Sequence, residues 1–262
     1  MPVRVRWYTD PACSASWAAE PKRRSLLVEF GDDLSFTYVM GGLARDYDPG
    51  YSDAETWLAQ AADSRMPMDP RIWTEGPIRS SFPACIAVKA AAEQGPEAED
   101  RYLRAVREGL MCLRRKLDNV EALVEVAREA GLDVRRFRID AQSNAILESF
   151  ADDLEETRGG DEPVVLPSAR FERAGGEPAW VLGEAPYEGW RAAALAAGAR
   201  SSEEPRPDPP SALRRFGRMA TVEVEAVCDL SAAAAEAELS RLALEGRVRP
   251  LRVLTGTLWE PV

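Results

Sequence analysis

Four cysteines and the complete absence of histidine define the chemistry open to this 262-residue chain. Without an imidazole there is no Ser-His-Asp or Cys-His catalysis, no histidine-based zinc site and no histidine proton shuttle. Any reaction must therefore use cysteine, carboxylates, hydroxyls, arginine, lysine or the backbone. The best-placed nucleophile lies in the segment Cys13-Ser14-Ala15-Ser16-Trp17, where a predicted strand gives way to a predicted helix.

Cys13 is a candidate nucleophile because of its position at the start of that helix. A cysteine there meets unpaired backbone N–H groups and the positive end of the helix dipole. Both favour the thiolate, which is the reactive form of the side chain. Ser16 and Ser14 lie in the same turn and offer hydroxyls that can donate a hydrogen bond to it. We therefore predict Cys13, Ser16 and Ser14 as the catalytic residues.

The other cysteines, Cys85, Cys112 and Cys228, show no spacing typical of paired metal ligands. We expect them to pack in the interior as thiols, and we predict no metal site. The acidic run at residues 152–156 lacks alternating ligand spacing and is typical of a solvated helix face. No apolar signal-peptide core precedes the first strand, so we expect a cytoplasmic protein.

The composition narrows the classes of partner. The chain is 45% hydrophobic, which is enough for a packed core, and its 33 basic and 44 acidic residues give a net charge of −11. This acidic balance disfavours sequence-independent binding to nucleic acid or anionic lipid. No apolar run reaches the ~18–20 residues of a membrane span. The expected partner is a protein or a small thiol.

The first forty residues have a β-α-β pattern. Val3–Thr9 alternates apolar and basic residues with a period of two, and residues 34–40 form a second strand pattern. A helical stretch at about residues 14–29 connects them, and Pro21 should kink or divide it. Such an order favours a parallel strand pair with a right-handed crossover.

A long helical block follows, which we predict as an insertion at about residues 52–158. The clearest helices in it are 97–117, 120–130 and 144–157. Residues 134–138 have an extended pattern. Residues after this block again have patterns typical of strands.

Those strand signals begin with a short candidate at residues 162–166. Residues 169–173 and 179–182 then form a hairpin pattern across a Gly-Gly turn, and a last helix is predicted at 187–197. We therefore predict an α/β fold, a thioredoxin-like domain over residues 1–200 that carries the helical insertion.

A second, smaller unit is predicted after a proline-rich linker at residues 201–211. In residues 212–262, helices at 221–228 and 232–245 precede a hairpin, and this order resembles a winged helix of the α+β class. The hairpin strands are residues 247–254 and 257–259.

DNA binding by this unit is disfavoured. Its second helix begins with Ala232-Ala233-Ala234-Ala235, which offers no donors to base edges or phosphates. Residues 212–262 contain seven basic and seven acidic side chains and are therefore neutral. We expect a protein contact instead, and this surface is a candidate for pairing with a second copy of the chain.

Three segments together resemble the DsbA family of thioredoxin-fold proteins, in its cytosolic FrnE-like and SpxH-like branch. They are residues 10–21, DPACSASWAAEP; residues 80–91, SSFPACIAVKAA; and residues 164–168, VVLPS. The resemblance covers about residues 3–197. It implies that Leu166-Pro167 is a cis-proline stretch that faces Cys13 and binds substrate backbone. Trp17 is a further candidate for the lining of the substrate groove, although aromatic residues near a first strand are more often part of the core.

One departure from the family pattern concerns the second thiol. Redox members carry Cys-x-x-Cys, whereas this chain has Cys13 followed by Ser16. A dithiol enzyme uses its second cysteine to release the mixed disulfide. The resemblance therefore implies monothiol exchange or disulfide isomerisation, with no bound cofactor and with glutathione as a candidate co-substrate.

Two alternatives remain open beside this interpretation. The first is a redox-inactive adaptor that binds proteins on the same fold. The second is a glutathione-dependent transferase or isomerase, similar to kappa-class transferases and 2-hydroxychromene-2-carboxylate isomerases, in which Ser14 or Ser16 activates glutathione.

Overall fold

A four-stranded sheet organises the first two hundred residues of the computed structural model, which describes all 262 residues. Its strand order is β2-β1-β3-β4. β1 pairs in parallel with β2 and antiparallel with β3, and β4 is antiparallel to β3. The strands are β1 Val3–Thr9, β2 Leu34–Met40, β3 Ser168–Glu172 and β4 Ala179–Val181.

The β-α-β prediction is confirmed, including the divided crossover. The connection consists of α1 Ser14–Ala18 and α2 Glu20–Phe30, with Pro21 in the first turn of α2. A proline is tolerated there because the first N–H groups of a helix have no intrahelical acceptor. In β1, the alternating residues Val3 and Val5 are fully buried against the helices.

Seven helices lie between β2 and β3 and form the predicted insertion. They pack around one apolar core shared with the sheet. A further helix, α10 Tyr187–Ala196, follows β4. The seven are α3 Ala54–Ser64, α4 Ile72–Glu75, α5 Phe82–Ala92, α6 Pro96–Met111, α7 Val120–Glu129, α8 Val134–Asp140 and α9 Asn144–Arg158.

Three local predictions in this region need correction. Residues 134–138 are helical, not extended, because Asp133 caps α8 by accepting a hydrogen bond from the N–H of Arg136. Residues 162–166 form no strand. Helix α6 ends at Met111, before Arg114 takes a left-handed conformation with φ of 53°.

The last fifty residues form a compact unit of three helices and a three-stranded antiparallel sheet with the order β5-β7-β6. Its first helix begins at Pro209, inside the segment predicted as a linker, since its two prolines occupy the first turn and Asp208 caps it. The elements are α11 Pro209–Phe216, β5 Met219–Ala220, α12 Thr221–Cys228, α13 Ala232–Leu244, β6 Val248–Val253 and β7 Gly256–Pro261.

This C-terminal unit packs against the rest of the chain mainly through α12, which lies along α2. The contact includes Glu223, which is fully buried and pairs with Arg24 at 3.1 Å and Arg104 at 2.8 Å. On the outer side, Arg65 pairs with Glu225. No helix in the structure combines the length and the apolar character needed to cross a bilayer.

Candidate functional site

Cys13 is the N-cap residue of α1, as the sequence predicts. The backbone N–H of Ser16 donates a hydrogen bond to its Sγ over 3.3 Å. The same sulfur lies 4.0 Å from the carbonyl oxygen of Leu166. The N-terminus of α1 and the loop that contains Leu166 therefore both contact the Cys13 thiol.

The peptide bond between Leu166 and Pro167 is cis. Its loop reaches Cys13 because Gly41 lets the Leu166 side chain come close: a Cβ at position 41 would lie 2.7 Å from Leu166 Cδ1. The cleft between them is about 290 Å³. Its lining includes Cys13, Leu43, Arg158 and Val165, and Val165 is 62% exposed. This is the predicted arrangement of the cysteine and the cis-proline.

The pKa of Cys13 is shifted in the direction opposite to the one expected for an activated thiolate. The residue is only 7% exposed, and burial raises the pKa of the thiol above its ordinary value. Hydrogen bonding from Ser16 opposes this effect, while the nearby Asp10 carboxylate adds to it. The balance favours the thiol, because desolvation penalises the charged form more than one turn of helix stabilises it.

The two predicted helper serines lie in the same turn as Cys13, and hydrogen bonding from the side chain and backbone of Ser16 lowers the pKa of the Cys13 thiol. The backbone N–H of Ser16 donates to Cys13 Sγ over 3.3 Å, and the Ser16 side chain is itself buried. Ser14 is also buried, at 5% exposure. Neither hydroxyl lies open to a small-molecule substrate.

Trp17 requires a correction, since the sequence predicted that it lines the substrate groove. The side chain is fully buried, and its indole N–H donates to the backbone carbonyl of Pro67 over 2.9 Å. Its ring lies under the guanidinium of Arg104, 4.3 Å from ring centroid to Cζ. Trp17 is thus a structural contact behind the site, with no face open to a substrate.

A buried carboxylate that the sequence analysis did not single out supports the cysteine loop. Asp10 accepts hydrogen bonds from the N–H groups of Ala12 and Leu43, at 2.7 and 2.8 Å. The Ser81 hydroxyl and the Cys85 thiol also donate to it, at 2.9 and 3.2 Å. Burial raises the pKa of Asp10, and these four donors partly oppose the rise.

Cys85 has a structural role in this cluster, because its thiol donates a hydrogen bond to Asp10. It is fully buried, and burial together with Asp10 holds the pKa of its thiol well above the ordinary value. All four cysteines are free thiols. In the structure, no group of three or more histidine, cysteine or acidic side chains is arranged to hold a metal ion.

A second cleft, of about 260 Å³, is lined by Pro167. Its walls include small residues of α1 and the end of α3, and Val222 of the C-terminal unit closes it. The two clefts share no lining residue, but Leu166 lines the first and Pro167 lines the second. Side chains on the rim of the second cleft include Lys22, Gln60 and Asp63.

Comparison with known proteins places this geometry in context. Two similar proteins, both named ClpXP adapter protein SpxH, come from Halalkalibacterium halodurans and Bacillus subtilis. They are 28% and 25% identical to this chain, over 98% and 99% of it and 88% and 89% of their own lengths.

Among solved structures, the cytosolic disulfide reductase DsbM from Pseudomonas aeruginosa is similar, with a TM-score of 0.58 and 20% identity. The similarity covers 72% of this chain and 95% of that one. At this identity the match supports the fold, a thioredoxin-like arrangement of the DsbA type. The family model described as thioredoxin matches residues 7–161, more than half of the sequence, and the chain therefore belongs to the thioredoxin family.

Proposed function

We propose that this protein is a protein-binding adaptor on a thioredoxin-like fold, and that the groove beside Cys13 binds a protein segment without turning over disulfides. The observation that carries the proposal is the extent of its similarity to the SpxH adapters. That similarity covers 98–99% of the chain, so it includes the C-terminal unit. The DsbM reductase matches only 72% of the chain.

The chemistry of the site supports an adaptor. Cys13 has Ser16 where a dithiol enzyme has its resolving cysteine, so a mixed disulfide would have no internal route of release. Burial raises the pKa of Cys13, which keeps the nucleophilic thiolate scarce at neutral pH. Both features disfavour turnover, and neither impairs binding of an extended segment at the cis Leu166-Pro167 loop.

We propose that the C-terminal unit is winged-helix-like and serves protein contact. Most of its arginines already have acidic partners: Arg241 pairs with Glu238 and Glu245, and Arg249 pairs with Glu260. Little free basic surface is left for a phosphate backbone. By analogy with the SpxH adapters, the partners would be a client protein and ClpXP, in the cytoplasm.

Binding and turnover can be measured side by side. Purified ClpXP from the same organism is titrated against the full chain, the Cys13→Ser variant and a bovine albumin control by biolayer interferometry. Insulin reduction with glutathione is measured on the same samples. We expect saturable binding by both forms of the chain and no insulin reduction above the uncatalysed rate. Thiol-dependent turnover by the wild type without any ClpXP binding would contradict the proposal.

The second candidate is monothiol exchange with glutathione. It is favoured by one observation, the approach of Cys13 Sγ to the Leu166 carbonyl oxygen at 4.0 Å beside the cis Pro167. Mass spectrometry after incubation with oxidised glutathione tests it. Rapid formation of a mixed disulfide at Cys13, reversed by excess reduced glutathione, would support this function.

A further inference from the structure

A buried ion-pair cluster lies directly behind the Cys13 helix. At its centre is Glu20, in the first turn of α2, which pairs with Arg107 and with Arg23 at 3.0 Å. Burial alone would raise the pKa of Glu20, but the surrounding arginine charges outweigh it and hold that pKa well below the ordinary value. Glu20 is therefore ionised, and the cluster is a fixed electrostatic framework.

Arg104 of α6 extends this cluster to the C-terminal unit. Its guanidinium donates to both carboxylate oxygens of Glu223, at 2.8 and 2.9 Å, and to the backbone carbonyl of Arg218 at 3.2 Å. Glu223 in turn accepts from the N–H of Ala220 at 2.7 Å, at the start of α12. A bidentate pair of this kind fixes orientation as well as distance.

The same guanidinium lies over the ring of Trp17, four residues after Cys13. One side chain thus contacts both the helix that begins at the candidate site and a fully buried acid of the C-terminal unit. Cation–π stacking with a desolvated arginine is a substantial contact, and replacement by lysine would not reproduce its planar geometry.

A second, uncharged route joins the same two parts. The indole N–H of Trp17 donates to the Pro67 carbonyl oxygen at 2.9 Å. The β6–β7 turn packs on this loop: the N–H of Met68 donates to Thr255 Oγ1 at 2.7 Å, and a Cβ at Gly256 would lie 3.1 Å from Pro67 Cγ. The loop at residues 67–68 is therefore held between Trp17 and the turn.

We infer that Arg104 and Pro67 are positioning residues. Through them, the position of the C-terminal unit helps to determine the position of helix α1, which begins after Cys13. Both residues act on Trp17, which moves with α1. When the C-terminal unit is displaced, Arg104 loses Glu223 and keeps only Glu108 and Glu20, and Pro67 loses its contact with the β6–β7 turn. Both contacts to Trp17 are then weakened, and the first turn of α1 becomes more open. The inference concerns this linkage and holds for either proposed use of the groove.

The test uses the accessibility of Cys13 in the full chain. Native protein is treated with iodoacetamide, and peptide mass spectrometry measures the modification rate of each cysteine. We expect Glu223→Gln to speed the modification of Cys13 by about threefold or more, while Cys85, which is held by Asp10, remains protected. Glu238→Gln is the matched control, since Glu238 pairs only with Arg241 in its own helix, and it should leave the Cys13 rate unchanged.

Two further comparisons separate positioning from general destabilisation. Gly256→Val pushes on Pro67 without changing any charge, and we expect Cys13 to react faster relative to Cys85 even where Glu223→Gln folds poorly. Arg104→Lys should retain part of the protection that Arg104→Met loses. An unchanged Cys13 rate in Gly256→Val, or an equal rise at all four cysteines, would overturn the inference.

Discussion

The backbone N–H of Ser16 donates to Cys13 Sγ over 3.3 Å, at the position where a Cys-x-x-Cys protein carries its second thiol. The chain therefore has the helical turn of a Cys-x-x-Cys motif, with serine in place of the second cysteine. Ser16 is itself buried, so a thiol at position 16 would lie beside Cys13 and away from solvent. The redox behaviour of the site therefore depends on the side chain at position 16 and on the burial of Cys13.

Ser16→Cys should restore a redox-active pair. The two residues lie one turn apart, within the range that a disulfide spans. We expect oxidation to form an internal disulfide between Cys13 and the introduced cysteine, and the variant to reduce insulin measurably faster than the wild type. Mass spectrometry detects the loss of two hydrogen atoms. Ser14→Cys is the control, since adjacent helical residues do not face each other, and equal activity in that variant would contradict the prediction.

The reactivity of Cys13 should depend on pH with a midpoint above the ordinary thiol value of about 8.5. Burial raises its pKa, so the thiolate fraction at pH 7 is lower than in an exposed cysteine. We expect iodoacetamide to modify Cys13 more slowly than glutathione at pH 7. In the denatured chain the midpoint should return to the ordinary value. A native midpoint at or below that of the denatured chain would refute this assignment.

Asp10 should be a major source of stability for the cysteine loop. Asp10→Ala leaves the N–H groups of Ala12 and Leu43 without their acceptor and removes the partner of the Ser81 hydroxyl at 2.9 Å. Unsatisfied buried donors are costly, and we expect the free energy of unfolding to fall by about 3 kcal/mol or more. Urea denaturation followed by circular dichroism measures it.

Two controls bracket that value. Ser81→Ala removes one neutral partner and should cost about 1 kcal/mol. Asp46→Ala changes an exposed acid in the neighbouring loop and should be nearly neutral. If Asp10→Ala were as stable as Asp46→Ala, the four hydrogen bonds to Asp10 would not contribute to folding.

The sheet and its crossover could be predicted from the sequence because the information is local. The alternation in β1 and the position of Pro21 each specify a structure within a few residues. The same reasoning failed at residues 134–138, where a strand-like pattern is overridden by a helix cap at Asp133 and by burial of Phe137 against Tyr102, with ring centroids 5.1 Å apart. Tertiary packing decides such short segments.

In the candidate site, too, the residues in local motifs could be predicted from the sequence, and the contacts between distant residues could not. Cys13 and the Leu166-Pro167 loop were identified from motifs, but the burial that raises the thiol pKa depends on elements about 150 residues apart in the chain. The Asp10 cluster joins Ser81 and Cys85 across about 70 residues. No local pattern marks such partners, since only the folded chain brings them together.

Glu99 provides a test of the buried electrostatics away from the site. It is 6% exposed on α6, and burial raises its pKa to about 7, with Lys89 opposing the shift and Asp153 adding to it. Lys89 forms an ion pair with Asp153 at 2.9 Å, so the positive charge of Lys89 acts on both Asp153 and Glu99. An acid whose folded pKa exceeds its unfolded value of about 4.3 destabilises the folded state progressively as pH rises between the two values.

Glu99→Gln should therefore stabilise the protein in a pH-dependent way. The folded wild type carries a neutral Glu99 at pH 5 and must ionise it by pH 8, whereas glutamine never titrates. We expect the gain in the free energy of unfolding to be about 2 kcal/mol larger at pH 8 than at pH 5. Urea denaturation at the two pH values measures it, with Glu97→Gln on the exposed face of the same helix as the control. An equal gain at both values would show that Glu99 ionises in its ordinary range.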